Sequence, residues 1–321
     1  MDKINIVACT DNKFVMPTGV MMYSICKNHS IGSVDFHIIV DEGVSSDNKK
    51  KLEDLTKEFQ NNIVFYQIES KLFQEFPAWK NRPALASKAA YYRLLTAEIL
   101  PVSIDKVIYL DGDIIVRGSL LPLLDIDMTD KAIAAVPSQS ESIDAIYKQL
   151  SYSPNFGYFN SGVLLINLSY WRENHVKKDF IDFIQKYPER IAVVDQDVLN
   201  YVFREKKIML PIKYNFSNGF LTKKTNYNWE KYKEEVLEAR KNPIVVHYAG
   251  GKPWANSMDR YPHPWRSLWY KYMSQTCWKD EPLWETRPWS FRIKKSVGNF
   301  LRRFGILPEL PNDYIDIDPI E

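Results

Sequence analysis

The apolar positions near the start of the chain fall into short runs, each closed by polar residues. Ile4 to Cys9 is one, ended by Thr10, Asp11 and Asn12. Val34 to Val40 is a second, ended by Asp41, Glu42 and Gly43, and Ile63 to Ile68 is a third. Runs of this length and composition predict buried strands. Between them, Met16 to Asn28 predicts a helix, and Ser45 or Ser46 caps another that runs through Leu52 and Leu55 to about Phe59. Strand, helix, strand, helix, strand at this spacing predicts a parallel sheet with crossover helices. Sheets of that kind bind ligands at the carboxyl ends of their strands.

Further along, Leu72 to Ala86 is irregular, with Pro77, Trp79 and Pro83, and reads as a lid or a plain surface loop. Ser87 to Leu100 predicts a helix with Ala89, Ala90, Leu94 and Leu95 toward the core. Arg93 lies within it, as an ion-paired or surface residue or as a ligand contact. Lys131 to Val136 and Tyr158 to Asn167 predict strands, the latter entered through Asn160-Ser161-Gly162. Trp171 to Tyr187 predicts one helix, and Asp195-Gln196-Asp197 opens another, where acidic residues suit the helix dipole. A last strand, Ile244 to Tyr248, carries His247 and leads into Gly250, Gly251, Lys252, Pro253 and Trp254.

The stretch from Lys106 to Gly118 stands apart. An apolar run ends in Asp111-Gly112-Asp113, and a second apolar run follows. In extended backbone, residues two apart point to one side, so the two carboxylates can meet at one point. Gly112 has no side chain to obstruct a ligand there. Two acidic oxygen donors at a strand end suit a hard cation such as Mg or Mn carrying a phosphate. A solvated turn gives the same triplet. His247, next to Gly-Gly-Lys at another strand end, fits a metal ligand beside a phosphate-binding lysine, and it also fits a satisfied core histidine. Neither G-x-G-x-x-G after the first strand nor G-x-x-x-x-G-K-[ST] occurs, so any phosphate must be held by a metal or by side chains.

Composition narrows the classes. The 321 residues give a formal net charge of +2, which offers no global reason to expect nucleic-acid binding. Cys9, Cys26 and Cys277 are too few and too scattered for a disulfide framework or a zinc cluster, and fit reduced thiols in a cytoplasmic protein. No signal peptide is visible, and no apolar run approaches the ~20 residues that span a bilayer.

Taken in order, five of these segments resemble the family-8 glycosyltransferases, the retaining sugar transferases that include lipopolysaccharide galactosyltransferases and glycogenin. They are the first strand with its Asp-Asn turn, Tyr-Leu-Asp-Gly-Asp-Ile-Ile-Val, Phe-Asn-Ser-Gly-Val-Leu-Leu-Ile-Asn, Asp-Gln-Asp-Val-Leu-Asn and His-Tyr-Ala-Gly-Gly-Lys-Pro-Trp. The resemblance covers roughly residues 4 to 255. It implies an α/β fold: a single Rossmann-like domain of GT-A type with a mostly parallel central sheet, plus a C-terminal helical tail. It implies transfer of galactose or glucose from a UDP-sugar to a saccharide acceptor with retained stereochemistry. A self-glucosylating glycogenin-like primer, a UDP-sugar hydrolase and a non-catalytic UDP-sugar-binding subunit are the other readings.

The resemblance further implies that Asp111, Asp113 and His247 hold Mn2+, with Mg2+ the alternative, and that Ala8, Cys9, Thr10 and Asn12 wall the uracil and ribose. Lys252 with Gly250 matches the segment holding the diphosphate, and Gly112 lies within the nucleotide-sugar site. Arg93, Asn160, Ser161, Asp195 and Gln196 match positions lining the donor sugar and reacting carbon, with Gln196 and Asp195 in the catalytic roles. Two features depart from the family. Thr10 stands where some members carry an aspartate against the base, and the loop after His247 is one residue shorter than in the galactosyltransferase branch.

The expected boundaries are a catalytic domain over 1–275, a basic aromatic segment over 276–308 and an acidic disordered tail over 309–321. In the basic segment Trp289, Ile293, Val297, Phe300, Leu301 and Phe304 fall on one helical stripe, while Arg292, Lys294, Lys295, Arg302 and Arg303 lie off it. No acidic residue interrupts Arg287 to Leu307. That pattern predicts either peripheral binding to an anionic membrane, at the inner face of the cell membrane, or a helix docked on protein.

Overall fold

The computed structural model describes residues 3–73, 76–77, 88–256, 263–282, 284–285, 289–308 and 314–315. Most of the Leu72–Ala86 segment lies outside the described residues.

The strands that frame the site are β1 (Ile4–Thr10), β2 (Val34–Asp41), β3 (Asn62–Ile68), β4 (Lys106–Leu110), β5 (Ile114–Val116), β6 (Ile133–Pro137), β7 (Phe159–Asn167), β8 (Lys207–Met209), β9 (Phe216–Ser217) and β10 (Val245–His247). Seven of them form the central sheet in the order β3-β2-β1-β4-β7-β6-β8. The pairs β3–β2, β2–β1, β1–β4 and β6–β8 are parallel, so the expected mostly parallel sheet is present. Strand β7 runs against both of its neighbours. That reversal brings the start of β7 beside the end of β4, with Leu110 opposite Val163.

Successive residues of the central strands feed opposite faces. Ile4, Ile6 and Ala8 of β1 enter one apolar cluster, whereas Val7 enters the other. Likewise Ile108 and Leu110 of β4 point to the first face, and Val107 and Tyr109 to the second. Burying such a side chain contributes about 1.5–3 kcal/mol, and both faces are covered by helices, as a parallel sheet requires. The Val15–Asn28 helix is buried over its first twelve positions. Ser45 caps the Ser46–Glu58 helix, its hydroxyl accepting from the Asn48 amide at 3.2 Å.

Two expectations are corrected. The Ser87–Leu100 segment is a 3-10 helix over Lys88–Leu95 followed by a short α-helix, Thr96–Ile99. The single helix expected over Trp171–Tyr187 is two, Leu168–Glu173 and Val176–Lys186, broken where His175 takes a φ of +51°. The last strand forms as expected, over Val245–His247, and lies outside the central sheet. β10 lies between β5 and β9 in a separate three-stranded sheet, antiparallel to β5 and parallel to β9.

The Trp289–Arg303 helix forms as expected, but none of its residues is buried. Trp289 is 74% exposed, and Val297, Phe300 and Phe304 are also exposed. In the acidic tail, Tyr314 bridges Thr222, and the Ile315 amide donates to the Leu221 carbonyl at 2.9 Å. Among the described residues, no helix is long and apolar enough to cross a membrane.

Candidate active site

The site gathers at the carboxyl ends of β1 and β4, where their crossovers leave polar residues uncovered. Strand β4 ends at Leu110, and the Asp111 amide adds one more rung to β7 by donating to the Gly162 carbonyl at 2.9 Å. Gly112 and Asp113 make a turn between β4 and β5. The two carboxylates therefore meet by a turn rather than by strand alternation. Gly112 is required by the protein itself: a Cβ there would come within 2.6 Å of Thr18 Oγ1 and 3.1 Å of Phe14.

His247 arrives from β10. It pairs with Ile114 of β5, and the Tyr248 amide donates to the Asp113 carbonyl at 2.9 Å. Its Nε2 lies 3.3 Å from Asp113 Oδ1 and 3.8 Å from Asp111 Oδ2. Donor atoms of Asp111, Asp113 and His247 all lie within 4.8 Å of one another. Asp113 and His247 are buried and Asp111 is partly so. Two carboxylates and an imidazole on an inflexible, largely dry frame are a donor set that suits a divalent first-row ion. The frame is tight. A Cβ on Gly162 of β7 would lie 2.3 Å from His247 Cε1 and 2.9 Å from Asp111 Oδ2.

Fixed charges surround the cluster. Lys252 forms an ion pair with Asp113 and donates to the Tyr248 carbonyl at 2.8 Å. Burial pushes the Asp113 carboxyl up, but Lys252 and His247 outweigh it and hold the carboxyl well below the usual carboxylate range. Arg93 is buried with its guanidinium 4.2 Å above the Tyr109 ring. It donates to Asp111 Oδ1 at 2.9 Å and to the Ser161 carbonyl at 2.7 Å, and its Nε lies 3.1 Å from Asp195 Oδ2. Tyr109 also donates to Asp111 Oδ1, at 2.9 Å. Arg93 is thus an internal clamp on two carboxylates. Burial pushes Asp195 up to about 6, Arg93 opposing the rise and Asp111 adding to it. Three carboxylates (Asp111, Asp113, Asp195) against two cations (Arg93, Lys252) leave this group of residues one negative charge over, which favours a further cation.

The Val194–Val202 helix supplies Asp195, Gln196 and Asp197, all buried. Asp197 serves the helix start: its Oδ2 accepts the amides of Ala192 and Val193, both at 2.7 Å. These bonds hold Val194 at a φ of +27°, a conformation a β-branched residue rarely adopts. Gln196 turns toward β7. Its Oε1 accepts from Asn160 Nδ2 at 3.1 Å and from the Ser161 amide at 3.2 Å, and its Nε2 donates to Tyr158 Oη at 2.8 Å.

These contacts join Arg93, Asp111, Asp113, Asn160, Ser161, Asp195, Gln196, His247 and Lys252 into one neighbourhood. Burial pushes the Cys9 thiol up to about 12 despite nearby Arg93, so it stays neutral. Ala8 is buried in the core. Thr10 accepts from Thr18 at 3.2 Å, and Asn12 Oδ1 accepts from the Ser45 amide at 3.0 Å and from Asn48 at 2.8 Å. These two residues therefore brace the end of β1 without touching the carboxylates. Gly250 abuts Asn218, whose Nδ2 would lie 2.3 Å from a Cβ at that position. Sequence reasoning missed Tyr109 and Asn215, and met Gly162 only as part of the close-approach entry to β7. Tyr109 was within reach, because it precedes Asp111 by two residues on one strand. Asn215 had no local signal.

Residues 5–258 match Glycosyl transferase family 8. The chain is 31% identical over 268 residues to the lipopolysaccharide 1,3-galactosyltransferase of Salmonella typhimurium, covering 81% of this chain and 75% of that protein. It is 30% identical over 281 residues to general stress protein A of Bacillus subtilis, covering 86% and 94%. Among solved structures, the galactosyltransferase LgtC in complex with donor and acceptor sugar analogs superposes with a TM-score of 0.75 at 26% identity, covering 91% of this chain and 100% of that one. The expected GT-A type fold is thereby borne out. A match that takes in β1, the Asp111 turn, Gln196 and His247 in a single span leaves one assignment: the chain belongs to glycosyl transferase family 8.

Proposed function

We propose that the protein is a metal-dependent, retaining hexosyltransferase that moves galactose or glucose from a UDP-sugar to a saccharide acceptor. The observation that carries this reading is the convergence of Asp111, Asp113 and His247 with Lys252 at their edge. Relatives named for galactose or glucose transfer to lipopolysaccharide, in Salmonella typhimurium and Escherichia coli, support the hexose and an acceptor of the lipopolysaccharide type.

Asp111, Asp113 and His247 would hold Mn2+, or Mg2+ in its place, and the bound ion would supply a Lewis acid to the diphosphate. Lys252 adds a point charge for the same phosphates when it leaves Asp113. Arg93 pairs with both Asp111 and Asp195 and fixes where their carboxylates point. Asp195 is 2% exposed with its Oδ2 3.1 Å from Arg93 Nε, so it would stabilise an oxocarbenium-like centre through its charge rather than by direct contact with the sugar. An amide such as Gln196 is a poor nucleophile, so a double displacement on the carboxylate plan of retaining hydrolases is disfavoured. In the reaction we favour, the bond from the anomeric carbon to the diphosphate oxygen breaks and its electron pair leaves with UDP. The acceptor hydroxyl oxygen bonds the same face of that carbon, and its proton passes to the departing phosphate oxygen.

The exposed apolar stripe of the Trp289–Arg303 helix, with Lys294, Arg302 and Arg303 beside it, supports peripheral attachment to an anionic membrane near such an acceptor.

Calorimetric titration of UDP-galactose and UDP-glucose, with Mn2+ and then with a chelator, tests the donor and the metal together. Binding of one sugar nucleotide in Mn2+ and its loss on chelation are expected. Equal binding in chelator would sink the metal dependence, and an inverted anomer in the product, read by proton NMR, would sink the retaining mechanism.

A further inference from the structure

A single buried side chain, Asn215, spans the gap between the carboxylate-histidine cluster and the Gln196 carboxamide. It is 1% exposed and sits just before β9. His247 Nδ1 lies 2.8 Å from Asn215 Oδ1, and Asn215 Nδ2 donates to Asn160 Oδ1 at 2.8 Å. Asn160 Nδ2 in turn donates to Gln196 Oε1.

The polarity of this chain follows from two backbone amides. The Gly162 amide, which can only donate, points at Asn160 from 2.9 Å, so the Asn160 atom there must be the oxygen. The Asn215 atom facing that oxygen must then be its nitrogen, which turns the Asn215 oxygen toward His247. His247 Nδ1 must carry a proton to meet it, so Nε2 is the nitrogen that faces Asp111 and Asp113 and is left to ligate. At the other end, the Ser161 amide fixes the Gln196 oxygen in the same manner. The Gln196 nitrogen is left to donate to Tyr158, whose hydroxyl donates to Asp197 Oδ1 at 2.7 Å.

We infer that Asn215 is a positioning residue with two separable tasks. Its oxygen selects the Nδ1–H tautomer of His247, the form able to ligate through Nε2. Its nitrogen holds Asn160, and through it the orientation of the Gln196 carboxamide. The inference rests on the metal-site reading only for its first task, and the tests separate the two.

Nitrogen-15 NMR of the full chain reads the tautomer without any metal. At the alkaline limit of its titration, the His247 ring should carry its proton on Nδ1, and a proton on Nε2 overturns the inference. In Asn215→Leu, which lacks both polar atoms, the ring should become a mixture of tautomers. Mn2+ affinity, measured by loss of the free-ion paramagnetic signal with and without UDP, should fall 10- to 100-fold, as for other groups that orient metal-binding histidines. Asn215→Asp keeps the acceptor and removes the donor. It should hold Mn2+ at least as tightly as the wild type while kcat falls at least tenfold. Wild-type Mn2+ affinity in a folded Asn215→Leu protein overturns the first task, and wild-type kcat in Asn215→Asp overturns the second. If the wild type has the Nδ1–H tautomer but binds no Mn2+, the metal reading fails and the tautomer assignment stands.

Discussion

Asp195 and Asp197 sit two residues apart in one helical turn, yet they have different partners. Asp197 satisfies two amides of the turn before the helix, as a first-turn acid should, whereas Asp195 faces Arg93. The sequence shows both acids but not this division, because Arg93 is supplied by a distant segment. Burial pushes Asp195 up to about 6, so it becomes neutral as pH falls through that value and loses its attraction for Arg93. Sugar transfer should therefore show an acid limb, with kcat/KM dropping about tenfold per pH unit below it. A divalent ion on Asp111 should move that limb to lower pH. Arg93→Gln removes a cation and should move it to higher pH, and a limb unmoved by Arg93→Gln counts against Asp195 as its source. The sign for stability runs the other way from that of most acids. Because the folded value lies above the ordinary carboxylate value of ~4, this group favours the folded state in acid. That contribution is lost as pH rises from ~4 through the folded value of about 6. Urea denaturation of wild type and Asp195→Asn across this range should show the wild type losing stability relative to the variant as pH rises. At the cluster itself, Asp113→Asn should abolish Mn2+-dependent UDP binding, and binding kept within tenfold would remove Asp113 from the site.

Elements decide how closely those residues approach. Strand β7 brings Gly162 against His247 and Asp111 with no space for a methyl group. Gly162→Ala should lower Mn2+ affinity more than tenfold and cost about 1–3 kcal/mol of stability, the usual range for overpacking. Gly251→Ala, where nothing lies within 4 Å, should leave both within error. Equal effects at the two glycines would mean that the β7 contact does not matter. The first strands and helices were legible because each is a short apolar run closed by polar residues. The break at His175 was not, because neither proline nor glycine marks it and the residue adopts a left-handed conformation only in its tertiary setting. The β10 strand was legible as an apolar run, but its pairing with β5 and β9 was not, because strands of two or three residues carry no signal of their partners.

The whole molecule separates a packed transferase body from an outlying amphipathic helix. Trp284 and Glu285 belong to the body, since they pair with Ala255 and Asn256 and the Trp284 ring meets Trp254 and Phe14. A chain ending at Glu285 also loses the Tyr314 and Ile315 contacts to Thr222 and Leu221, so it should melt somewhat lower, but it should keep its UDP-sugar binding and stop pelleting with vesicles rich in anionic phospholipid. Equal pelleting of the full and shortened chains would reject the membrane role of the Trp289–Arg303 helix. The stripe itself was legible, because its spacing is local. Its exposure was not, because that depends on whether anything else covers it.

The antiparallel pairing of β5 with β10 carries a consequence for how the enzyme comes into being. Asp113 precedes β5, while His247 ends β10, more than a hundred residues later. On a ribosome, a nascent chain already contains its Asp-Gly-Asp turn long before the histidine and lysine that complete the pocket have been translated. Such a chain has most of the central sheet but lacks two members of the proposed site, His247 and Lys252. On the proposed site, competence arrives late in synthesis, once the sequence through Lys252 has emerged, and products of translation stalled before that point should transfer no sugar.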